Sequence, residues 1–156
     1  MGRLSAFLLI FFLLIFECGQ QPEDEEIAVP KITEIKFGKD WDPNSNEIKD
    51  PDTVFSFGTK IIYYSIKFEN YLRKGYMVKK KWKLDNTQLL EAVTFVPGNK
   101  IRIVGEFHHY DTTQNMNIGT YEISVYYLLD GSYKEFSYVP SVNKKFKIEN
   151  LKGVKK

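Results

Sequence analysis

Residues 119–131 read Gly119-Thr120-Tyr121-Glu122-Ile123-Ser124-Val125-Tyr126-Tyr127-Leu128-Leu129-Asp130-Gly131. Tyr121, Ile123, Val125, Tyr127 and Leu129 alternate with Glu122, Ser124, Tyr126 and Leu128, and Asp130-Gly131 is a turn signal. Successive side chains of a strand point to opposite faces, so this alternation predicts a long half-buried strand closed by a tight turn.

The same period recurs upstream. Between Lys60 and Phe68, Ile62, Tyr64, Ile66 and Phe68 share one face. From Met77 to Leu84, Val78, Trp82 and Leu84 alternate with Lys79, Lys81 and Lys83, and Lys80 interrupts the apolar face. Ile101, Ile103, Gly105 and Phe107 alternate with Arg102, Val104, Glu106 and His108. Shorter strands are expected at Ile32–Phe37, Gln88–Phe95, Tyr133–Tyr138 and Lys144–Glu149, with turn signals at Asp85-Asn86 and Pro97-Gly98-Asn99. No long helical period competes. The expectation is an all-β domain of about 120 residues, an antiparallel β-sandwich of seven to nine strands over residues 31–150.

Trp82 in the third of the core strands, together with Asn117-Ile118-Gly119-Thr120-Tyr121, resembles the immunoglobulin-like sandwich. That family often buries a tryptophan there and turns a tyrosine corner at the second site, with the tyrosine hydroxyl bonded to nearby backbone. The stretch from Gly119 to Gly131 is also similar to the final hairpin of bacterial Ig-like modules. The chain departs from antibody domains in lacking an inter-sheet disulfide, since Cys18 is its only cysteine. Trp82 and the other aromatics must then supply the core.

At the N-terminus, Arg3 precedes an apolar run of thirteen residues from Leu4 to Phe16. That is the length of a signal-peptide core and short of the roughly 20 residues a membrane-spanning helix needs. Ile15-Phe16-Glu17-Cys18 resembles a bacterial lipoprotein signal, although Glu17 stands where the family has a small residue. The resemblance implies cleavage after residue 17 and lipidation of Cys18, with the lipid bilayer as partner and an exported, membrane-anchored location. Residues 18–30, with the acidic block Glu23-Asp24-Glu25-Glu26, are expected to form a disordered tether, and residues 151–156 a basic tail. A lone cysteine in an exported domain is otherwise an unpaired thiol, and lipidation removes it.

No chemistry-bearing constellation stands out. His108 and His109 are the only histidines, and adjacent strand positions point to opposite faces, so the two cannot hold one metal together. There is no phosphate loop, nucleophile elbow or zinc spacing, and no cofactor is expected. Asp40, Asp42, Asn44 and Asn46 place oxygen atoms at alternating positions, a weak candidate for calcium. Ser45 occupies the place of the turn glycine of an EF-hand and Pro51 that of its bidentate glutamate, which favours a plain Asx-rich connection.

Two surfaces remain. Arg73, Lys74, Lys79, Lys81 and Lys83 form a basic cluster suited to an anionic glycan, a phospholipid headgroup or an acidic envelope protein, or simply to keeping a sheet soluble. Tyr63, Tyr110 and Tyr126 are candidates for a flat recognition surface or for cross-strand packing. With a net charge of only +2 on an exported chain, nucleic acid is not an expected partner. The expected function is a tethered, non-catalytic binding or assembly module. The alternative is an envelope hydrolase or glycan-processing enzyme with acids converging near Glu106, His108 and Asp111, for which two carboxylates about 5 to 9.5 Å apart would be required.

Overall fold

The computed structural model describes residues 29–150, except 73 and 110. Cys18, the signal segment, the acidic tether, Arg73, Tyr110 and the basic tail therefore lie outside the described residues. The described residues form eleven strands in the order β1 (Ile32–Gly38), β2 (Asp40–Asp42), β3 (Glu47–Lys49), β4 (Val54–Ser56), β5 (Ile61–Leu72), β6 (Tyr76–Leu84), β7 (Thr87–Val96), β8 (Lys100–His108), β9 (Gly119–Leu129), β10 (Ser132–Glu135) and β11 (Lys145–Glu149). This exceeds the seven to nine expected, because the segment between β1 and β5 forms three strands of three residues each. Strands that short carry too little alternation to register in sequence.

The sheets are antiparallel except where β11 runs parallel to β4. One sheet has the order β1-β5-β8 and the other β4-β11-β9-β6-β7, with β10 also on β9, while β2 and β3 form a separate ribbon. Two turns close as their chemistry dictates. Asp85 and Asn86 both take positive φ (47° and 71°), as do Asp130 and Gly131 (50° and 76°), the conformation a two-residue hairpin needs to match strand twist. The turn at Pro97-Gly98-Asn99 does something else: it passes the chain from β7 in one sheet to β8 in the other.

Side chains from both sheets meet in one core. Trp82 on β6 is only 2% exposed and is reached by rings from the opposite sheet, Phe107 at 4.3 Å, Tyr64 at 5.3 Å and Phe37 at 6.4 Å between centroids. Phe146 on β11 closes the group, 6.2 Å from Trp82 and 5.0 Å from Phe37. Such tilted and edge-on pairs add about 0.5–1.5 kcal/mol each beyond the area they bury. Tyr121 stacks on Phe146 at 4.9 Å, and its hydroxyl donates to the carbonyl oxygen of Asn117 at 2.8 Å. The expected tyrosine-to-backbone bond is formed.

The outer face of the three-stranded sheet is tied by Arg102, whose guanidinium donates at 3.0 Å to Glu34 on β1, to the buried Ser65 on β5 and to Glu47 on the ribbon. Burial alone would raise the Glu34 carboxyl, but hydrogen bonds from Lys36 and Arg102 outweigh it and hold the group below its ordinary value. A carboxyl depressed in the folded state contributes stability that is complete above its unfolded value, near 4.5, and is lost as pH falls through the folded one. Acidification should therefore destabilise the parent more than Glu34→Gln in denaturant melts, and parallel pH profiles would refute the role given to Glu34.

Replacing Tyr121 by Phe keeps the stacking and removes one hydrogen bond. The variant should lose about 0.5–1.5 kcal/mol of unfolding free energy with an unchanged denaturant slope.

Candidate functional site

Alternation along β6 turns Tyr76, Val78, Lys80, Trp82 and Leu84 to one face. Pairing with β7 sets Val96, Thr94, Ala92 and Leu90 opposite the first four. The three-stranded sheet ends at β8, which meets β6 and β9 through Phe107. Strand β7 overhangs this limit. Its inner face is open at Leu90, 47% exposed although the Trp82 it pairs with is buried, and closes into the core at Val96.

The overhang roofs a cleft of about 770 Å³ between the edges β7 and β8. Trp82, Leu89, Leu90, Phe107 and Met116 make most of its wall apolar, and Lys80, Thr94, Tyr64 and Glu106 supply polar groups. A concave, mainly apolar space of this size with a few convergent polar groups is what a small-molecule site requires.

Lys80 is the unusual member. Its Nζ donates to Thr94 Oγ1 at 3.1 Å and sits 6.0 Å from the centre of the Tyr64 ring. Among the described residues no carboxylate lies within ion-pair distance of it. Burial pushes its pKa below that of an ordinary lysine. Tyr64 is drawn close because its strand partner is Gly105, where any Cβ would run into the tyrosine ring and hydroxyl. Burial, and secondarily the charge of Glu106, push the Tyr64 hydroxyl well above the usual phenol range.

The basic row lies on the outer face of β6, as alternation requires, but it is partly neutralised. Lys79 and Lys81 both approach Glu91 on β7, at 3.9 and 2.9 Å. Lys79 also lies 4.0 Å over the ring of Tyr133, and Lys81 5.4 Å over that of Tyr126. Lys83 is exposed, and Lys74 stands 5.6 Å from the Tyr76 ring. Tyr63 and Tyr126 are half-buried on the outer faces of their sheets.

The Asx-rich stretch folds as the β2–β3 hairpin. Asp40 accepts from the Trp41 amide and Lys49 Nζ, both at 2.8 Å, and Asp42 accepts from the Asn44 amide at 2.9 Å and Ser45 Oγ at 3.0 Å. Asn46 takes φ of 56° and donates its amide to the Asp42 carbonyl oxygen. The acidic oxygens of Asp40 and Asp42 thus bond within the hairpin, and among the described residues no three His, Cys, Asp or Glu side chains are grouped to hold a metal.

Glu106 and His108, two apart on one face of β8, approach to 3.9 Å at the rim of the cleft. His108 Nδ1 lies 2.7 Å from the carbonyl oxygen of His109, and His109 Nδ1 accepts from the Asp111 amide at 3.2 Å. Asp111 is engaged elsewhere. Its carboxylate accepts from the Thr113 hydroxyl at 2.7 Å, the Thr113 amide at 3.0 Å and Gln114 Nε2 at 2.9 Å, bonds that hold its pKa below the usual carboxylate range. The structure therefore joins Glu106 to His108 without Asp111.

Sequence reading missed the cleft and assigned no role to Lys80. The one available signal was Lys80 itself, a charge on the face shared by Val78 and Trp82. Because Tyr64 packs on bare backbone at Gly105, Gly105→Ala should shift that ring into the cleft. It should cost about 1–3 kcal/mol in denaturant unfolding, and an unchanged midpoint would contradict the close approach.

No protein-family model matches the chain, no curated protein is detectably similar to it, and no solved structure matches it.

Proposed function

We propose that this chain is an exported lipoprotein, held on the bacterial envelope by an acylated Cys18, whose domain is an immunoglobulin-like sandwich acting as a non-catalytic binding module. The observation that carries the binding reading is the apolar cleft under β7. A closed core would have covered Leu89 and Leu90, and their exposure around a concave space marks a place where a ligand gains by leaving water.

Strand order supports the Ig-like reading. Of the seven principal strands, the first, second and fifth (β1, β5, β8) form one sheet, and the third, fourth, sixth and seventh (β6, β7, β9, β11) belong to the other. Immunoglobulin constant domains share this division except that their fourth strand pairs in the first sheet. The buried Trp82 on the third strand and the Tyr121 hydroxyl bond on the sixth agree with it. The tether is supported by the thirteen-residue apolar run and by Cys18, which has no second cysteine to pair with.

Binding is favoured over hydrolysis by the composition of the cleft. Among the described residues Glu106 is the single carboxylate on its wall, whereas acid–base cleavage of a glycoside uses two.

Two readouts test this function in a bacterial host and on the purified domain. Metabolic labelling with an alkyne fatty acid should tag the parent and not Cys18→Ala, and equal labelling or none would overturn the tether. Nile red, a neutral polarity-sensitive dye, should brighten on binding the parent and not Ala92→Trp, which fills the space opposite Lys80. Dye brightening unaffected by that substitution would overturn the cleft as the binding site.

A further inference from the structure

We propose that the cleft takes a single-chain fatty carboxylate, with the head group on Lys80 Nζ and the chain lying along Trp82, Leu90 and Phe107. The proposal rests on the binding reading above and names the ligand of that site.

Three consecutive lysines differ in what they meet. Lys79 and Lys81, on the outer face, share Glu91. Lys80, on the inner face, has among the described residues only the neutral oxygen of Thr94 and the face of Tyr64. A half-buried ammonium among apolar walls has lost hydration without gaining a counter-charge, so an anion delivered to it restores what burial removed. At reduced dielectric that attraction exceeds what the same pair gains in open water. Thr94 Oγ1 already accepts from Lys80, which leaves its hydroxyl proton free to donate to a carboxylate oxygen.

The walls select the body of the ligand. Around Lys80, Leu89 and Leu90 offer exposed hydrocarbon over a floor of Trp82, Phe107 and Met116, which are nearly covered, while His108, His109 and Asn117 add polar groups to the lining. A polar ligand group set against Leu89, Leu90 and Ala92 would be left unsatisfied, whereas an acyl chain there would not. Glu106, the one acid on the wall, is more than half exposed and approaches His108 at the rim. Its position disfavours a second negative charge on the ligand, so one carboxylate fits better than a phosphate dianion. A positively charged head group would meet Lys80 directly.

The test uses the domain carrying Trp41→Phe, so that Trp82 is the remaining tryptophan and its fluorescence reports the cleft. A terminally brominated fatty carboxylate, which quenches tryptophan on contact, is titrated below its micelle concentration beside the matching brominated alcohol. The acid should quench Trp82 saturably and bind about tenfold or more tightly than the alcohol. Lys80→Met should remove that preference and leave alcohol binding intact, and Lys80→Arg should retain it. Lys80→Met relieves a buried charge, so its denaturation midpoint should equal or exceed that of the parent. Equal binding of acid and alcohol to the parent, or a preference that survives Lys80→Met, overturns the head-group assignment while leaving the cleft reading standing. Binding of neither ligand overturns both.

Discussion

Trp82 is the residue on which both the core and the cleft depend. Its indole is the point where β1, β5 and β8 of one sheet and β11 of the other converge, through Phe37, Tyr64, Phe107 and Phe146. With no disulfide between the sheets, the contacts of Phe37, Tyr64 and Phe107 with Trp82, Phe146 and Tyr121 join them, and the Tyr121–Phe146 stack braces β9 against β11 within one sheet. Burying Trp82 also fixes the register of β6. Once it points inward, period two sends Lys80 inward beside it and turns Lys79 and Lys81 to the outer face.

The cleft follows from a mismatch in sheet width. A three-stranded sheet reaches as far as β8, and the facing sheet continues one strand further to β7. Leu90, on the inner face of β7, is therefore left open beside a buried Trp82, whereas Val96 at the other end of the strand is buried in the core. An edge strand with this much exposed hydrocarbon invites unwanted pairing, and Glu91 with its two lysines supplies charge on the outer face of that edge. On the inner face, Lys80 breaks the local rule of apolar residues inward with no carboxylate among the described residues in compensation. Departures of that kind concentrate at functional sites, where a ligand provides what the fold omits.

Much of the fold is legible in the sequence because long alternating strands leave a strong imprint. Ile62, Tyr64, Ile66 and Phe68 are buried together as their spacing requires, as are Tyr121, Ile123 and Val125. The Tyr121 hydroxyl bond is also legible, in the resemblance of Asn117-Ile118-Gly119-Thr120-Tyr121 to the turn before a tyrosine corner. Strands β2, β3 and β4 were not, since three residues hold barely one period and their pairing is set by turns at Asn46 and Asp50 and by β11 from the far end of the chain. The ion network of Arg102 was equally hidden, because Glu34, Ser65 and Glu47 are brought to it only by tertiary pairing. The cleft was invisible for the same reason: which sheet ends first cannot be read from any single strand.

The central claim is that Lys80 is a cation held without a counter-charge in an apolar cleft. Isotope-edited NMR titration of the lysine side chains tests it most directly. One lysine signal, absent from the spectrum of Lys80→Met, should titrate below all the others and move back up when a fatty carboxylate is added. If Lys80 titrates with the surface lysines, and its signal does not respond to the carboxylate, the account of the cleft is wrong.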